Sequence, residues 1–233
     1  MYVNTQRELD GIIRDMHEHF DGRETEQNWL KREESITTLR RLIAGNAVSD
    51  FQDAFLNGIR GLLDGIIKGI TTLRTSLAKE SCTLVQDVAN AFGTHMDPMV
   101  ELLMQTLLKL SASTKKIASQ LANTTIDIIL SRATFTNRLL QHVSFASQDK
   151  NVQPRLYATG WLKTLLIKEE QHKAHIEHMG GLELIEKAIK KGLADANPGV
   201  REKMRATYWL FAKIWPARAE VYVYDLGYSI LVL

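Results

Sequence analysis

The sequence predicts an all-α protein built from stacked helix pairs, and three observations support this fold class. The chain has 233 residues, of which 45% are hydrophobic and 24% are charged, so it can bury a sizeable core. It contains only 4 prolines and 14 glycines, too few for a sheet sandwich, which needs a turn signal about every 8 to 12 residues. Apolar residues recur at helical spacing along almost the whole chain.

This apolar pattern predicts ten helices, with polar, glycine or proline breaks between neighbours. The first covers residues 9–20, and the second opens at Trp29, where Asn28 is a preferred N-cap residue. The third covers residues 50–70, and we expect its glycines to permit close helix packing. The remaining predicted helices cover residues 73–92, 98–110, 115–130, 135–145, 154–167, 182–193 and 200–214.

Basic or aromatic residues recur at the turns inside these pairs. The turns are spaced at intervals of roughly 40 to 46 residues, the range typical of HEAT and armadillo repeats. One pair cannot cover its own apolar faces, so we expect about five to six pairs to stack into a single HEAT-repeat α-solenoid domain over residues 1–233. The turns would then form one ridge, with these predicted site residues: Trp29, Lys31, Arg32, Arg74, Thr75, Lys79, Lys115, Lys116, Arg155, Arg201, Lys203 and Arg205.

The overall charge of the chain is small. Lysine and arginine total 29 against 27 acidic residues, a formal charge of +2, which does not suggest a protein coated for nucleic acid. The ridge would be a local basic feature, suited to an acidic protein surface or to a nucleic-acid backbone. We favour a protein partner, because the ridge has one aromatic residue and lacks the repeated stacking platform expected for single strands.

Cysteine usage and the two termini bear on location. The one cysteine, Cys82, cannot form an internal disulfide, which favours a reducing cytosolic or nuclear compartment. The N-terminal segment lacks the features of a secretory signal. The apolar run at residues 222–233 is far shorter than the roughly 20 residues that a membrane span needs. A chain that stops on such a run, without a polar tail, is predicted to be a piece of a longer, multi-domain protein.

Signals for catalysis are weak, so we predict no enzyme activity and no cofactor. The segment GIRGLLDG lies within a helical pattern, follows no strand and lacks the GK[ST] ending of a phosphate loop. Cys82 falls where an apolar helix face is expected, which favours a buried structural thiol over a nucleophile.

A histidine cluster is the strongest competing signal. His172, His175 and His178 follow Glu169 and Glu170, and helical spacing places His172 and His175 on neighbouring turns of one face. Such a pair can ligate zinc if a third ligand joins it, but the segment lacks the H-E-x-x-H spacing of metalloproteases. We therefore favour a solvated polar connector, and a metal hydrolase is the third functional hypothesis.

The four tryptophans fall into two groups. Trp161, Trp209 and Trp215 lie within apolar helical stretches, and we predict that they pack in the core. Trp29 stands at a helix start beside basic residues, the composition of an interface hot spot. This pattern is equally compatible with an exposed Trp29 that anchors a partner and with a Trp29 that fills the first junction between repeats.

Several segments resemble the TOG-type HEAT arrays of the CLASP microtubule-associated proteins, most closely the second TOG domain in its fungal form. The resemblance rests on NWLKREESITTLRRLI at the first pair, LRTSLAKESCTLVQDVA at the second and KKGLADANPGVREKMRATYWLF at the fifth. Lys116 matches the third-turn lysine of the family, and Arg155 matches one of its fourth-turn arginines. Leu156 and Tyr157 stand where the family pattern is richer in arginine.

The resemblance implies tubulin and microtubule binding through the ridge, without catalysis. Trp29 would be the apolar anchor, and Arg74, Lys116, Arg155 and Arg201 would be cationic contacts. Family members suppress catastrophe and promote rescue at plus ends, spindles and kinetochores. The resemblance therefore implies a cytoplasmic and cytoskeletal location, on spindle and kinetochore microtubules and in the nucleus during division, with spindle or kinetochore proteins as further partners. We expect a monomeric domain with no nucleic-acid or membrane partner.

Two alternatives remain open at the level of sequence. A generic HEAT scaffold, the second hypothesis, would bind a peptide or regulatory protein through an apolar groove on its helix faces, independently of the turn residues. At the C-terminus, residues 219–233 show β-like alternation, whereas the resemblance implies a final helix packed on the last pair, and we follow the resemblance.

Overall fold

The computed structural model describes the backbone of residues 1–226 and the side chains of residues 1–221. Within that part of the chain all regular structure is helical, which confirms the predicted fold class. The chain divides into two compact units, Met1–Ala133 and the chain from Thr134 onward. Its organisation as a single domain stays a prediction. None of the described helices is both long and apolar enough to cross a membrane.

The first unit contains two layers of helices. Helix α1 packs on α2 and α4. Helices α2, α6 and α8 lie side by side in one layer, and α5 and α7 cover them in the other. Between the layers lies a core of fully buried aliphatic and aromatic side chains. The helices are α1 (Gln6–Phe20), α2 (Trp29–Ile43), α3 (Ala47–Asp50), α4 (Gln52–Gly61), α5 (Leu63–Ile70), α6 (Thr75–Phe92), α7 (Asp97–Ser111) and α8 (Lys116–Arg132).

The prediction of one helix over residues 50–70 is wrong. The chain forms α3, α4 and α5 there, with interruptions at Phe51 (φ −137°, ψ 36°) and Leu62 (φ −94°, ψ 3°). The apolar residues keep their helical spacing through both interruptions, so their pattern cannot locate the breaks.

Two glycines in this segment allow α1 to approach closely, as predicted. A Cβ atom at Gly58 would lie 2.4 Å from Cδ1 of Ile13, and one at Gly65 would lie 2.4 Å from Cγ of Phe20. A larger residue at either position would therefore require the Ile13 or Phe20 side chain of α1 to shift.

The second unit repeats the two-layer arrangement. Helices α10 and α13 lie side by side in one layer, α9 and α12 form the other, and α14 packs on α13. The helices are α9 (Asn137–Ala146), α10 (Val152–Glu169), α11 (Lys173–His178), α12 (Gly181–Leu193), α13 (Pro198–Ile214) and α14 (Pro216–Leu226).

The predicted helices from residue 73 to residue 214 are confirmed to within a few residues at each end. The sequence pattern does not predict the short helix α11, which lies in the segment interpreted as a polar connector. At the C-terminus the predicted final helix is observed as α14, and residues 227–233 lie outside the described residues.

Burial agrees with the prediction for two of the three apolar-segment tryptophans. Trp161 and Trp215 are buried in the core, as predicted. The prediction is wrong for Trp209, whose surface is 54% exposed. The buried face of α13 is formed by residues such as Tyr208 and Phe211, and the helical turn of about 100° per residue takes Trp209 out of that face.

Candidate partner-binding surface

The first unit brings three within-pair turns together at one edge. Two hydrogen bonds show that α2, α6 and α8 run in the same direction. Ser76 near the start of α6 donates to Glu33 near the start of α2 at 2.6 Å, and Arg132 at the end of α8 donates to Asn90 near the end of α6 at 2.9 Å. We call the starts of these helices with their preceding turns the first turn edge. It carries these predicted site residues: Trp29, Lys31, Arg74, Thr75, Lys79, Lys115 and Lys116.

The second unit has a corresponding edge of its own. The Thr207 hydroxyl donates to the Thr159 carbonyl at 3.0 Å, which fixes α13 against α10. We call the starts of α10 and α13 with their preceding turns the second turn edge. It carries Arg155, Arg201, Lys203 and Arg205.

Four of the turns share one backbone design. A side-chain oxygen in the turn accepts a hydrogen bond from the backbone N–H of the helix N-cap residue two positions later, at 2.7 to 3.2 Å. These acceptor and donor pairs are Thr72 and Arg74, Ser113 and Lys115, Asp149 and Asn151, and Asp195 and Asn197.

This shared design shows that the recurring cations are not structurally equivalent. Arg74 is the N-cap residue of its helix, and Lys116 is the first helical residue after the cap. Arg155 and Arg201 lie one full helical turn further on, where the first unit has Ala78 and Ser119 instead. The sequence period therefore identifies the turns correctly but aligns residues with different surroundings.

Arg32 is buried, and the prediction that it lies on the surface is wrong. Its side chain is among the largest fully enclosed ones in the described chain. The guanidinium donates hydrogen bonds to the backbone carbonyls of His19, Asp21 and Gly22 at 3.0 to 3.2 Å. Arg32 thus closes the end of α1 onto α2, because a guanidinium supplies several donors in a fixed geometry.

Arg155 and Arg201 bind their own turns in the same way. Arg155 donates to the carbonyls of Asp149 and Lys150, at 2.9 and 3.1 Å, and Arg201 donates to the two corresponding carbonyls of the next turn, at 2.7 and 3.0 Å. Arg155 also makes two hydrogen bonds to the Asp195 carboxylate, at 2.7 and 3.1 Å. Each arginine is therefore engaged within the second unit.

The Asp195 carboxylate is the centre of this network. Its side chain is only 7% exposed. Burial acts to raise its pKa, but the hydrogen bonds from Arg155 and the Asn197 backbone, together with the charges of Arg155 and Arg201, hold the pKa of Asp195 below its ordinary value. The ionised carboxylate is thus the form that the second turn edge stabilises.

Arg74 is held by neighbours on the first turn edge. Its Nη2 atom donates to Glu26 at 2.5 Å, and its Nε atom forms an ion pair at 3.2 Å with Glu24 without a hydrogen bond. The guanidinium carbon lies 4.6 Å from the centre of the Trp29 ring, a cation–π contact. Trp29, which is half-buried, and Arg74 therefore form one stacked unit with two carboxylates beside it.

The lysines of the first turn edge are exposed and flank an apolar groove. Lys115 and Lys116 both line a groove of about 570 Å³ between the second and third turns. Leu73, which is 83% exposed, and Ile117, which is 58% exposed, line the same groove. Sequence reasoning missed these two residues because it followed the cations, although exposed aliphatic residues beside charges are typical of binding surfaces.

The residues that the sequence suggests for catalysis or metal binding are Cys82 and the histidine cluster, and each is engaged with its neighbours. Cys82 is fully buried, and burial raises the pKa of its thiol to about 11, which confirms the structural interpretation. The Nδ1 atom of His172 lies 3.8 Å from Glu169, and the His175 ring packs edge-on against Phe135. Within residues 1–221 no three His, Cys, Asp or Glu side chains are grouped so that they could hold a metal ion.

Within each unit the helix pairs stack with their turns at one edge, which is the arrangement that defines the class of HEAT-type α-solenoids. The solved structure named "Structural Basis of Microtubule Plus End Tracking by XMAP215, CLIP-170 and EB1" is similar, with a TM-score of 0.73 and 15% identity over 96% of this chain and 88% of that chain. The one named "TOG-tubulin binding specificity promotes microtubule dynamics and mitotic spindle formation" has a TM-score of 0.61 and 13% identity, and the match covers 100% of this chain and 90% of that one.

The chain belongs to the family described as CLASP N terminal, which it matches over residues 9–230. Protein STU1 of Chaetomium globosum is 70% identical over 219 residues, a match that covers 94% of this chain and 20% of that protein. The chain thus spans about a fifth of the length of this curated relative. The family resemblance inferred from the sequence is confirmed.

Proposed function

We propose that this chain is a TOG-type domain that binds tubulin and microtubules through the first turn edge. Its family membership and its likeness to structures named for microtubule plus-end tracking and TOG–tubulin binding support the proposal. The observation that supports it most is the groove that combines Leu73 and Ile117 with Lys115 and Lys116. Exposed aliphatic side chains ringed by cations suit an acidic protein surface that also offers an apolar contact.

The two kinds of side chain in this groove would have different roles. The exposed lysines would orient the acidic partner and speed its encounter, since an exposed ion pair contributes only about 0.2 to 1 kcal/mol. Full burial of an aliphatic side chain contributes about 1.5 to 3 kcal/mol. Leu73 and Ile117 should therefore supply much of the affinity, and Lys115 and Lys116 much of its salt dependence.

The second turn edge would contribute differently. Lys203 is exposed and Arg205 is half-buried, so both remain proposed contacts. Arg155 and Arg201 are engaged with their own turns, and we assign them the role of holding the turn in shape for the partner. The proposed activity is binding without catalysis.

We propose that the protein to which this chain belongs stabilises microtubules by suppressing catastrophe and promoting rescue. Its sites would be plus ends, spindle and kinetochore microtubules, in the cytoplasm and cytoskeleton and in the nucleus during division, with other spindle or kinetochore proteins as further partners. We propose that the domain itself is monomeric.

Cosedimentation with stabilised microtubules, with free-tubulin binding measured alongside by analytical ultracentrifugation, tests the proposal. Replacing Lys115 and Lys116 by glutamate, or Leu73 and Ile117 by serine, should each weaken microtubule binding about tenfold, because each pair loses roughly 1.4 kcal/mol of contact. All of these side chains are exposed, so circular dichroism should show an unchanged fold.

Lys187→Glu on α12 is the control for charge reversal, because it reverses one exposed charge in the middle of a helix, half the charge change of the lysine pair. Its binding should stay at the level of the unchanged chain after correction for net charge. Folded groove variants that bind microtubules as tightly as this control would overturn the proposal.

A further inference from the structure

An exposed tryptophan on the second unit points to another binding surface. Trp209 on α13 is 54% exposed, and Ile167 on the neighbouring helix α10 is 56% exposed. Two contacts between these helices bracket the pair: Thr207 bonds the Thr159 carbonyl at 3.0 Å, and Lys213 forms an ion pair with Glu170 at 2.8 Å. Trp209 and Ile167 therefore lie on the same outward face, between these two contacts.

Each helix presents a continuous exposed stripe on this face. The exposed residues of the α10 stripe are three and four positions apart, and those of the α13 stripe have the same spacing. We call the two stripes together the α10–α13 face. Its residues are Gly160, Lys163 and Ile167 on α10 and Ala206, Trp209 and Lys213 on α13.

The small residues on this face leave room for a partner. No atom lies within 4 Å of the position that a Cβ atom would take at Gly160, so that position is open. Ala206, one helical turn before Trp209, is exposed and presents only a methyl group. Such small residues beside the indole ring leave space for a side chain of the partner to contact it. Tryptophan is enriched among the residues that dominate binding energy.

The charge on these helices selects the partner. Helices α10 and α13 together carry seven lysines and arginines against two glutamates, a formal charge of +5 on a chain whose net charge is +2. Three of the cations stand close to the indole along the helices, with Arg205 and Lys213 four residues before and after Trp209 and Lys163 on the α10 stripe. Two acidic residues lie nearby: Glu202, about two turns before Trp209 on α13, and Glu170, which follows α10 and pairs with Lys213 at 2.8 Å.

We infer that the α10–α13 face binds an acidic segment of another protein that carries an apolar anchor residue. The anchor would cover Trp209 and Ile167, and the acidic residues would face Lys163 and Arg205, since Lys213 is already paired with Glu170. A nucleic-acid backbone fits less well, because it offers no apolar group for Ile167. This is the kind of helix-face contact that the scaffold hypothesis anticipates.

This surface extends beyond the second turn edge, with which it shares Arg205. Trp209 lies eleven residues after the first residue of α13, which at 1.5 Å per residue is about 16 Å along the helix. Trp209 and Lys163 lie outside the second turn edge, so substitutions there test this face independently.

Fluorescence anisotropy with two labelled synthetic peptides tests the inference. The peptides share one pattern of leucine and phenylalanine and differ only in their polar residues, which are glutamate in one and lysine in the other. The 233-residue chain should bind the glutamate peptide at least about tenfold more tightly than the lysine peptide, with affinity falling as salt rises.

Substitutions then locate the binding. Trp209→Ser should reduce affinity for the glutamate peptide by about tenfold and Lys163→Glu by about threefold. Phe145→Ser, which removes another exposed aromatic residue of the same unit, and Lys187→Glu are the matched controls and should have no comparable effect. Lys116→Glu on the first turn edge should also leave peptide binding unchanged.

The outcomes separate the alternatives. Absence of glutamate-peptide binding, equal binding of both peptides, or a folded Trp209→Ser variant that binds like the unchanged chain would overturn the inference. A labelled thymidine oligonucleotide that binds the chain more tightly than the glutamate peptide, and loses binding with Trp209→Ser, would replace the acidic protein segment with a nucleic acid.

Discussion

The first and second turn edges use similar turns for different purposes. On the first, the turn acceptors Thr72 and Ser113 are neutral hydroxyls, and the lysines that follow are exposed. On the second, the acceptors are the carboxylates of Asp149 and Asp195, and the arginines that follow bind turn carbonyls. The first edge therefore keeps its lysines available for a partner, whereas the second uses two of its four cationic residues, Arg155 and Arg201, to hold its own turns.

The difference shows that the place of an arginine within its turn predicts its use. Arg32, Arg155 and Arg201 each lie four residues after the N-cap residue of their helix and bind turn carbonyls. Arg74 is itself an N-cap residue and faces carboxylates instead. The three arginines that bind turn carbonyls, Arg32, Arg155 and Arg201, exploit a planar group with several donors in fixed directions. Lys115 and Lys116 have single flexible ammonium groups that stay in water. Four experiments can break or sharpen this contrast.

Removal of the Asp195 carboxylate should have the largest effect. Asp195→Ala leaves Arg155, which is mostly buried, without its carboxylate and removes the acceptor of the Asn197 backbone N–H, so we expect a loss of about 3 kcal/mol in the free energy of unfolding. Urea unfolding followed by circular dichroism measures it.

Ser113→Ala at the corresponding position of the first edge is the control. It removes one hydrogen bond between neutral groups and should cost about 1 kcal/mol or less. Equal losses for the two substitutions would show that the second edge is not the more tightly built one.

Replacement of Arg201 should have the next largest effect on stability. Arg201→Ala removes two hydrogen bonds from a charged donor to turn carbonyls, so we expect a loss of about 2 kcal/mol. Microtubule cosedimentation of the folded variant should change by less than about twofold.

Arg201→Lys separates charge from geometry. It keeps the charge but not the fixed donor geometry, and it should recover less than half of the lost stability. If this variant instead restored microtubule binding that the alanine variant had lost, Arg201 would be a direct contact.

The stabilising effect of the Asp195 carboxylate should depend on pH. Its pKa is lower in the folded protein than the ordinary value of 3.8, so its contribution is fully present above about pH 3.8 and is lost as the pH falls through the lower folded value. The difference in unfolding free energy between the unchanged chain and Asp195→Asn should therefore be constant near neutral pH and shrink below about pH 3.8. A difference that stays constant down to pH 2 or so would show that the carboxylate charge contributes nothing.

The smallest effect concerns the carboxylates beside Arg74. Glu26→Gln keeps the side-chain shape and removes a negative charge that faces Arg74, so affinity for microtubules should rise by about two- to fivefold at low salt, corresponding to an exposed pair of roughly 0.4 to 1 kcal/mol. Glu18→Gln on the exposed side of α1 is the control for net charge. An affinity that falls would mean that Glu26 is needed to position Arg74 on Trp29.

Much of the fold follows from the sequence, because amphipathic helices and turn residues are local signals. The turns were located by their period, and the starts of α6, α8 and α13 lie within two residues of the predicted ones. Family resemblance added the proposed partner, which no local pattern specifies.

The failures share a physical cause, which is that charge and apolarity do not determine burial. Arg32 looks like a surface cation but is enclosed because the end of α1 supplies three carbonyls. Trp209 looks like a core residue but points outward, since the buried face of α13 is filled by its neighbours. Leu73 and Ile117 were missed because an aliphatic residue at a helix start reads as part of the core pattern.

The shared turn design makes the edges of this protein easy to change. The bond that shapes each of the four turns uses only the backbone N–H of the N-cap residue, and that residue is arginine, lysine or asparagine in different turns. At Arg74, Lys115 and Asn151 the side chain makes no capping bond, so it can be exchanged while the turn is retained. Substitution of the side chain at one such position can therefore change the binding specificity of one turn without altering the others.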